Sequence, residues 1–292
     1  MRLDKIGNIV IFGASGSLGQ SLTRFLNSKY RLFCPNREEL NFSSSDAIFD
    51  FLKNSKAEIV INSIALTDVN FCENNPQEAF FVNSEITKNI AIATAKQNAK
   101  MIQISTNYVF SGDKSGAYLE SDRPSAINIY GESKLQAENF VEQICEDYAI
   151  LRISWLLGDK NPHKVNFIDF ILNQAKAHKK FAILDDQKGK LTIADDLALR
   201  IEEFFADEVR GIFHICNEGE HTRYDLVLET VKLLNLKDVE ISIQNPHNLP
   251  DRSAKRPLQS SLTSEKIKLM PDWRESLKTY LEKNYGSDIS KI

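Results

Sequence analysis

Tyr130 and Lys134 stand four apart in the run Tyr130-Gly131-Glu132-Ser133-Lys134, a spacing that places both side chains on one face of a helix. A free tyrosine titrates at about 10, too high for ready proton exchange near neutrality, and a neighbouring ammonium stabilises the phenolate and lowers that value. Such a pair can deliver a proton to a carbonyl oxygen while hydride arrives at the carbon, and the lysine can also hold a nicotinamide ribose. A YxxxK run arises often by chance, so its company decides its weight. Ser105-Thr106 closes an apolar run, and a hydroxyl at a strand end can hydrogen-bond and polarise a substrate oxygen.

The third component is Gly13-Ala14-Ser15-Gly16-Ser17-Leu18-Gly19, which follows the strand-like Asn8 to Phe12 and opens a helical stripe. Its spacing supplies a tight turn, close backbone approach and close helix–sheet packing for a bound pyrophosphate. The next strand ends in Cys34-Pro35-Asn36-Arg37, where an NAD-selective site usually offers Asp or Glu to the ribose. Asn36 removes the charge that repels a 2′-phosphate and Arg37 can pair with one. This favours NADPH. The alternative, that Arg37 is a solvated loop charge and NADH also serves, stays open.

The elements that must position these groups alternate. Strand-like runs at Asn8–Phe12, Arg31–Cys34, Glu58–Asn62, Met101–Ser105 and Ala149–Ser154 are separated by helix-period segments. These carry Leu18, Leu22, Phe25 and Leu26; Ile48, Phe49, Phe51 and Leu52; Asn83 to Gln97; and Tyr130 to Ile144. Continuous rather than alternating apolar strands predict a doubly wound α/β fold, a parallel sheet covered on both faces. After Trp155 the pattern loosens into a polar loop at 159–164 and helices at 167–177, 195–205 and 224–234. A sheet strand at Gly211–Ile215, a strand near Ile241 and a proline-punctuated loop through Pro250 and Pro257 complete it. The expected division is a Rossmann unit of residues 1–154 plus about 193–218, a smaller substrate lobe of about 155–192 plus 219–285, and a polar tail at 286–292.

The 292 residues suffice for a sizeable core. A net charge of −4 argues against a broad nucleic-acid surface, while leaving room for a local basic pocket for a diphosphate. Cys34, Cys72, Cys145 and Cys216 are far apart, the pattern of buried or half-buried free thiols in a reducing cytosol. The five histidines show no metal-ligand spacing, and no metal is expected. No apolar run approaches the roughly 18 residues of a membrane span, and no signal peptide opens the chain. A cytoplasmic location follows by default.

Several blocks, in order, resemble the extended short-chain dehydrogenase/reductases, and more narrowly the dTDP-4-dehydrorhamnose reductase family. They are Ser105-Thr106-Asn107-Tyr108-Val109-Phe110, Asn128 through Glu138, Arg152 to Gly158 and Asn166-Phe167. Asp186 to Ala198, Arg256-Pro257 through Lys266, and Pro271 to Trp273 extend the similarity over nearly the whole chain. The resemblance implies NADPH-dependent reduction (NADH as the alternative) of the C4 ketone of a dTDP-4-keto-6-deoxy-L-sugar. It implies Thr106, Tyr130 and Lys134 as the catalytic set. Gly16, Ser17, Leu18, Asn36, Asn41, Phe42 and Ser63-Ile64-Ala65 would line the cofactor; Thr106, Asn107 and Trp155 would face the sugar. The implied partner is a nucleotide sugar, with a homodimer admitted; some relatives carry a metal at a subunit contact that no residue here is matched to.

This sequence departs from the family at Asn107, usually Asp, at Ser63-Ile64, usually two alanines, at Asn36, frequently Asp, and at Gly189-Lys190-Leu191-Thr192, which lacks the usual proline. Asparagine keeps size and an acceptor but loses charge and gains donors. Two alternatives stay open. One is a reductase or epimerase of another nucleotide-linked 4-keto-sugar. The other is a non-catalytic NADP-binding regulatory subunit, similar to the β subunit of methionine adenosyltransferase.

Overall fold

The computed structural model describes residues 7–160, 165–178, 180–244 and 253–286. Its first half runs β1 (Asn8–Phe12), α1 (Ser17–Leu26), β2 (Arg31–Phe33), α2 (Ser45–Ser55), β3 (Ile59–Asn62), α3 (Val69–Asn74), α4 (Pro76–Phe80), α5 (Ile86–Gln97), β4 (Lys100–Thr106), α6 (Ile129–Ile144) and β5 (Tyr148–Ile153). The second half adds β6 (Leu156–Leu157), α7 (Phe167–His178), β7 (Lys180–Leu184), β8 (Lys188–Gly189), β9 (Thr192–Ile193), α8 (Ala194–Arg200) and β10 (Gly211–His214). It ends with β11 (Asn217–Glu218), β12 (His221–Thr222), α9 (Arg223–Leu233), β13 (Glu240–Gln244), β14 (Met270–Asp272) and α10 (Trp273–Tyr285).

Six of these strands form one parallel sheet in the order β10-β5-β4-β3-β1-β2. The doubly wound α/β expectation holds. Alternate residues of each strand feed opposite layers: Ile9 and Ile11 join the core with Leu18, Leu22 and Leu197, while Val10 and Phe12 join Ile48, Leu52 and Ile90. Both faces exclude water, which is why the strands read as unbroken apolar runs. The chain leaves β1 for β2 and returns to β3 on the other side of β1. That reversal is a switch point, where the carboxyl ends of the strands open a crevice.

A third core lies outside this sheet. It gathers Trp155, Ile168, Ile171, Phe181, Leu226, Trp273 and Leu277 from α7, β7, α9, α10 and the loop after β5, with β7 and β13 as a separate parallel pair. The strand near Ile241 therefore belongs to this layer, and the return to the main sheet is β10, paired with β5.

Several boundaries differ from the sequence reading. The segment expected as a helix from Asn83 begins at Pro76 as α4, passes through a π turn at Phe81–Glu85, and continues as α5. The helix expected over 195–205 is α8 followed by a 3-10 turn at Ile201–Phe204. Helices α3 and α10 were not anticipated. α10 carries Trp273, Leu277, Tyr280 and Leu281 on its buried face, with Asp272 accepting from the Arg274 amide at its start. Cys34 is exposed rather than buried; Cys72, Cys145 and Cys216 are buried. Pro250, most of the 159–164 loop and the tail beyond Gly286 lie outside the described residues.

Candidate active site

The switch point is built from two strand ends. Phe12 and Asn62 are register partners of β1 and β3, so Gly13 and Ser63 leave the sheet side by side. Ser63 Oγ donates to the Phe12 carbonyl at 2.9 Å. Gly13 turns at φ +84°, and a Cβ there would lie 2.7 Å from Ser63 Oγ; one on Gly19 would lie 2.2 Å from the Gly13 carbonyl. Only glycine fits either position. Helix α1 starts at Gly16 with no side-chain cap and no acidic residue in its first turn. Its leading N–H groups and positive dipole end are thus left for an anion. The loop fits a dinucleotide diphosphate.

The reactive side chains come from β4 and α6. Helix α6 begins where Asn128 accepts from the Gly131 amide at 2.8 Å, which sets Tyr130 and Lys134 on the buried face one turn apart. Gly131 allows this approach, since a Cβ there would lie 2.1 Å from the Tyr108 carbonyl. Tyr130 and Thr106 line the same cavity, where the Thr106 hydroxyl favours the phenolate of Tyr130, and Lys134 Nζ donates to the Ile104 carbonyl at 2.8 Å. Thr106 Oγ1 accepts from the Tyr108 amide at 3.2 Å and donates to Asn107 Oδ1 at 3.3 Å.

Burial, not the neighbouring ammonium, dominates the electrostatics of Tyr130. It pushes the phenol up to about 12, with the Thr106 hydroxyl pulling the other way. This corrects the expectation of a lowered value: Lys134 is directed at the β4 backbone, and desolvation of the phenolate dominates. The same burial pulls Lys134 down to about 8, opposed by Glu138. Tyr130 is therefore protonated throughout the neutral range, the form a proton donor requires.

Two buried networks hold this geometry. In the π turn, Asn83 Oδ1 accepts from the Leu66 amide at 2.8 Å, and its Nδ2 donates to the Leu66 carbonyl at 3.1 Å and to Ser133 Oγ at 2.9 Å. Asn83 thereby ties the segment after β3 to the helix of Tyr130 and Lys134, a placement typical of π turns near working sites. On the other side of α6, Glu138 binds Arg152 through Nε at 3.0 Å and Nη2 at 2.7 Å and accepts from Ser105 Oγ.

These elements enclose a cavity of about 420 Å³. Of the residues singled out in the sequence, Gly16, Ser17, Leu18, Gly19, Ser63, Ala65, Thr106, Asn107, Tyr130, Lys134 and Trp155 line it. Gly13 and Ile64 sit at the switch point behind this wall. Asn36, Arg37, Asn41 and Phe42 are not brought to it: Asn36 Oδ1 caps the turn at Glu38 and Glu39, Asn41 Oδ1 accepts from the Ser43 amide, and Phe42 packs edge-on against Phe12. Arg37 is exposed beyond β2. The wall also contains Thr67, Val69, Tyr108, Leu157, Gly158, Asp159, Asn166, Phe167 and Arg223. Of these, Tyr108, Leu157, Gly158, Asn166 and Phe167 lie in motif blocks of the sequence; Arg223, one residue before an expected helix, carried no signal.

The two sugar-facing candidates are less free than their positions suggested. Asn107 is 1% exposed, and its Nδ2 donates to the Ser260 carbonyl at 3.0 Å. Trp155 adopts φ +38°, a left-handed backbone unusual for a bulky residue. Its ring lies against Gly189, where a Cβ would approach it to 2.7 Å, and meets His221 edge-on at 5.4 Å.

The parallel sheet, the glycine cradle at its switch point and the Thr106–Tyr130–Lys134 cluster beside it define a Rossmann fold of the extended short-chain dehydrogenase/reductase class. The chain belongs to the RmlD substrate binding domain family, whose model matches residues 7–285. It is 31% identical over 298 residues to the dTDP-4-dehydrorhamnose reductase of Aggregatibacter actinomycetemcomitans, covering 94% of this chain and 98% of that protein. The crystal structure of such a reductase from Clostridium acetobutylicum has a TM-score of 0.87 at 31% identity, over 94% of this chain and 98% of that one. The Bacillus anthracis reductase, solved in complex with NADP, has a TM-score of 0.89 at 27% identity, over 95% and 99% of the two chains.

Proposed function

We propose that the protein reduces the C4 ketone of dTDP-4-dehydro-6-deoxy-L-mannose to dTDP-L-rhamnose, using NADPH. The observation that carries this reading is the convergence of Thr106, Tyr130 and Lys134 on one cavity with the glycine cradle. The named activity of relatives matched over nearly their full length supports it, as does the NADP in the Bacillus anthracis structure.

The residues divide the work. Gly16 to Gly19 present backbone donors to the cofactor diphosphate, and Lys134 keeps two N–H groups for the nicotinamide ribose beyond the one given to Ile104. When bound, the nicotinamide supplies the hydride. Tyr130 holds the proton that the substrate oxygen takes up, and Thr106 orients that oxygen through its hydroxyl. In the proposed division, residues 1–154 and about 193–218 hold the cofactor, and about 155–192 with 219–285 hold the sugar. Among the described residues no helix is long and apolar enough to cross a membrane, which fits the cytoplasmic location proposed here.

The test incubates the protein with dTDP-4-keto-6-deoxyglucose, an active 3,5-epimerase and NADPH. Formation of dTDP-rhamnose with matched NADPH consumption is the expected result; neither appearing refutes the reading. Asn107, held by Ser260 where relatives usually carry Asp, favours a second reading in which the ketone belongs to another nucleotide-linked 4-keto-sugar. A panel of such ketones in the same assay separates the two.

A further inference from the structure

Three ionised side chains line the cavity: Lys134, Asp159 and Arg223. Lys134 donates to the Ile104 carbonyl, and Asp159 is paired with Arg24 at 2.5 Å and Lys283 at 2.8 Å. Arg223 has neither a carboxylate partner nor a hydrogen bond to any of the described residues. Its guanidinium is held by aromatic faces instead, 4.1 Å from the Trp155 ring centre and 4.9 Å from that of Phe167. Stacking occupies the flat faces of the group and leaves the N–H edges, whose fork matches the oxygens of a phosphate.

The position is unfavourable for a merely structural cation. Arg223 is the first residue of α9, at the positive end of the helix dipole. The acid in that first turn, Asp225, is engaged by the Thr222 amide and hydroxyl in a capping box. Partial burial adds a desolvation penalty, which pulls the guanidinium pKa downward. The ring beneath it, Trp155, is itself set on a strained backbone. The two ring faces offset part of this cost but satisfy none of the N–H donors, which are left for a ligand. Its location suits a substrate group: Arg223, Tyr108 and Tyr130 line one cavity, and Tyr108 packs edge-on against Tyr130 at 5.6 Å.

We propose that Arg223 anchors the diphosphate of the nucleotide-sugar substrate, an assignment that rests on the nucleotide-sugar reading above. The cofactor diphosphate has its own cradle at Gly16 to Gly19, so the two anions occupy separate parts of the cavity wall.

The experiment measures binding of dTDP, thymidine and NADPH by titration calorimetry to the wild type, Arg223→Gln and Arg223→Lys, together with steady-state reduction. Arg223→Gln is expected to weaken dTDP roughly 10- to 100-fold, the scale of hydrogen bonds to a charged group, and to raise KM for the nucleotide sugar more than it lowers kcat. NADPH and thymidine affinities should stay within about twofold, and Arg223→Lys should recover part of the loss, since charge without the fork is a weaker match. Unchanged dTDP affinity in Arg223→Gln overturns the proposal. So does an equal loss of NADPH affinity, or a wild type that binds thymidine as tightly as dTDP. The last test does not depend on any variant folding. A wild type that binds dTDP through Arg223 yet reduces no dTDP-linked ketone refutes the reaction and keeps the anchor; normal reduction with an unchanged KM in Arg223→Gln does the reverse.

Discussion

Asn107 gives its amide hydrogen to the carbonyl of Ser260 at 3.0 Å while its own carbonyl accepts from the Thr106 hydroxyl at 3.3 Å. An aspartate, the usual family residue, has no hydrogen to offer Ser260 unless it is protonated. Asn107→Asp should therefore set an ionised carboxylate against a carbonyl in a water-excluded site, destabilising the fold by about 1–3 kcal/mol. The folded-state pKa of such a carboxyl lies above its unfolded value. The native state then binds more protons than the unfolded one, and the penalty grows as pH rises. Urea denaturation at pH 5 and pH 8 checks this. Equal stability of the variant and the wild type at pH 8 would show that Ser260 tolerates the charge.

Tyr130 and Lys134 should part company in a pH profile. Burial holds Tyr130 up to about 12 and Lys134 down to about 8. The alkaline fall of kcat/KM should therefore begin near pH 8 and report loss of the lysine charge, with the phenol still protonated. Lys134→Arg cannot lose its charge in that range, so whatever activity it keeps should lack that limb. Tyr130→Phe should lower kcat by about 10²- to 10⁴-fold while NADPH affinity stays near wild type. A limb that survives in Lys134→Arg would assign it to another group.

Much of this site was legible in the sequence because its chemistry is local. The glycine loop, the strand end at Ser105-Thr106 and the Tyr130/Lys134 spacing each sit on an element whose own pattern announces it. The protonation balance was not legible, because it depends on how dry the site is rather than on which residues are neighbours. The π turn at Phe81–Glu85 has no pattern of its own, and α3 is six residues long with Cys72 as its buried side chain. α10 did carry a stripe, from Trp273 to Leu281, and an Asp272 cap, but its charged outer face obscured it. Arg223 is indistinguishable in one dimension from a solvated helix-start charge. The Trp155 and Phe167 rings that distinguish it lie 68 and 56 positions away.

The Glu138–Arg152 pair, both 1% exposed, should behave as a unit. Its carboxylate also accepts from Ser105 Oγ, one residue from Thr106, and Arg152 Nη1 faces His214 Nε2 at 3.4 Å. Glu138→Gln leaves a buried guanidinium without its counter-charge, and a loss of about 3 kcal/mol is expected. Replacing both partners, as in Glu138→Leu with Arg152→Met, removes the stranded charge along with the pair. The double variant should then lose less than the sum of its two single changes. Denaturation of the four proteins completes the cycle, and strict additivity would show that the two side chains act independently.

His221 sets an acid limit on the stability of the third core, where it packs on Trp273. Its ring stacks on Trp273 at 4.1 Å and its Nδ1 faces the Gly219 carbonyl at 3.2 Å, while Nε2 is buried without a partner. Burial lowers its pKa from 6.5 to about 4. Between those values the unfolded chain binds a proton that the native state refuses. Stability contributed by the neutral ring is thus intact above pH 6.5, falls as pH drops, and levels off near pH 4. The span corresponds to about 3 kcal/mol. His221→Phe keeps the stack and removes the titration, giving up about 1 kcal/mol for the lost hydrogen bond. Carboxylates that also titrate in this window cancel when the two proteins are compared at pH 7 and pH 4.5 by chemical denaturation. The wild type should be the more stable at pH 7 and the less stable at pH 4.5; parallel losses in both would mean that the His221 ring accepts its proton without unfolding its surroundings.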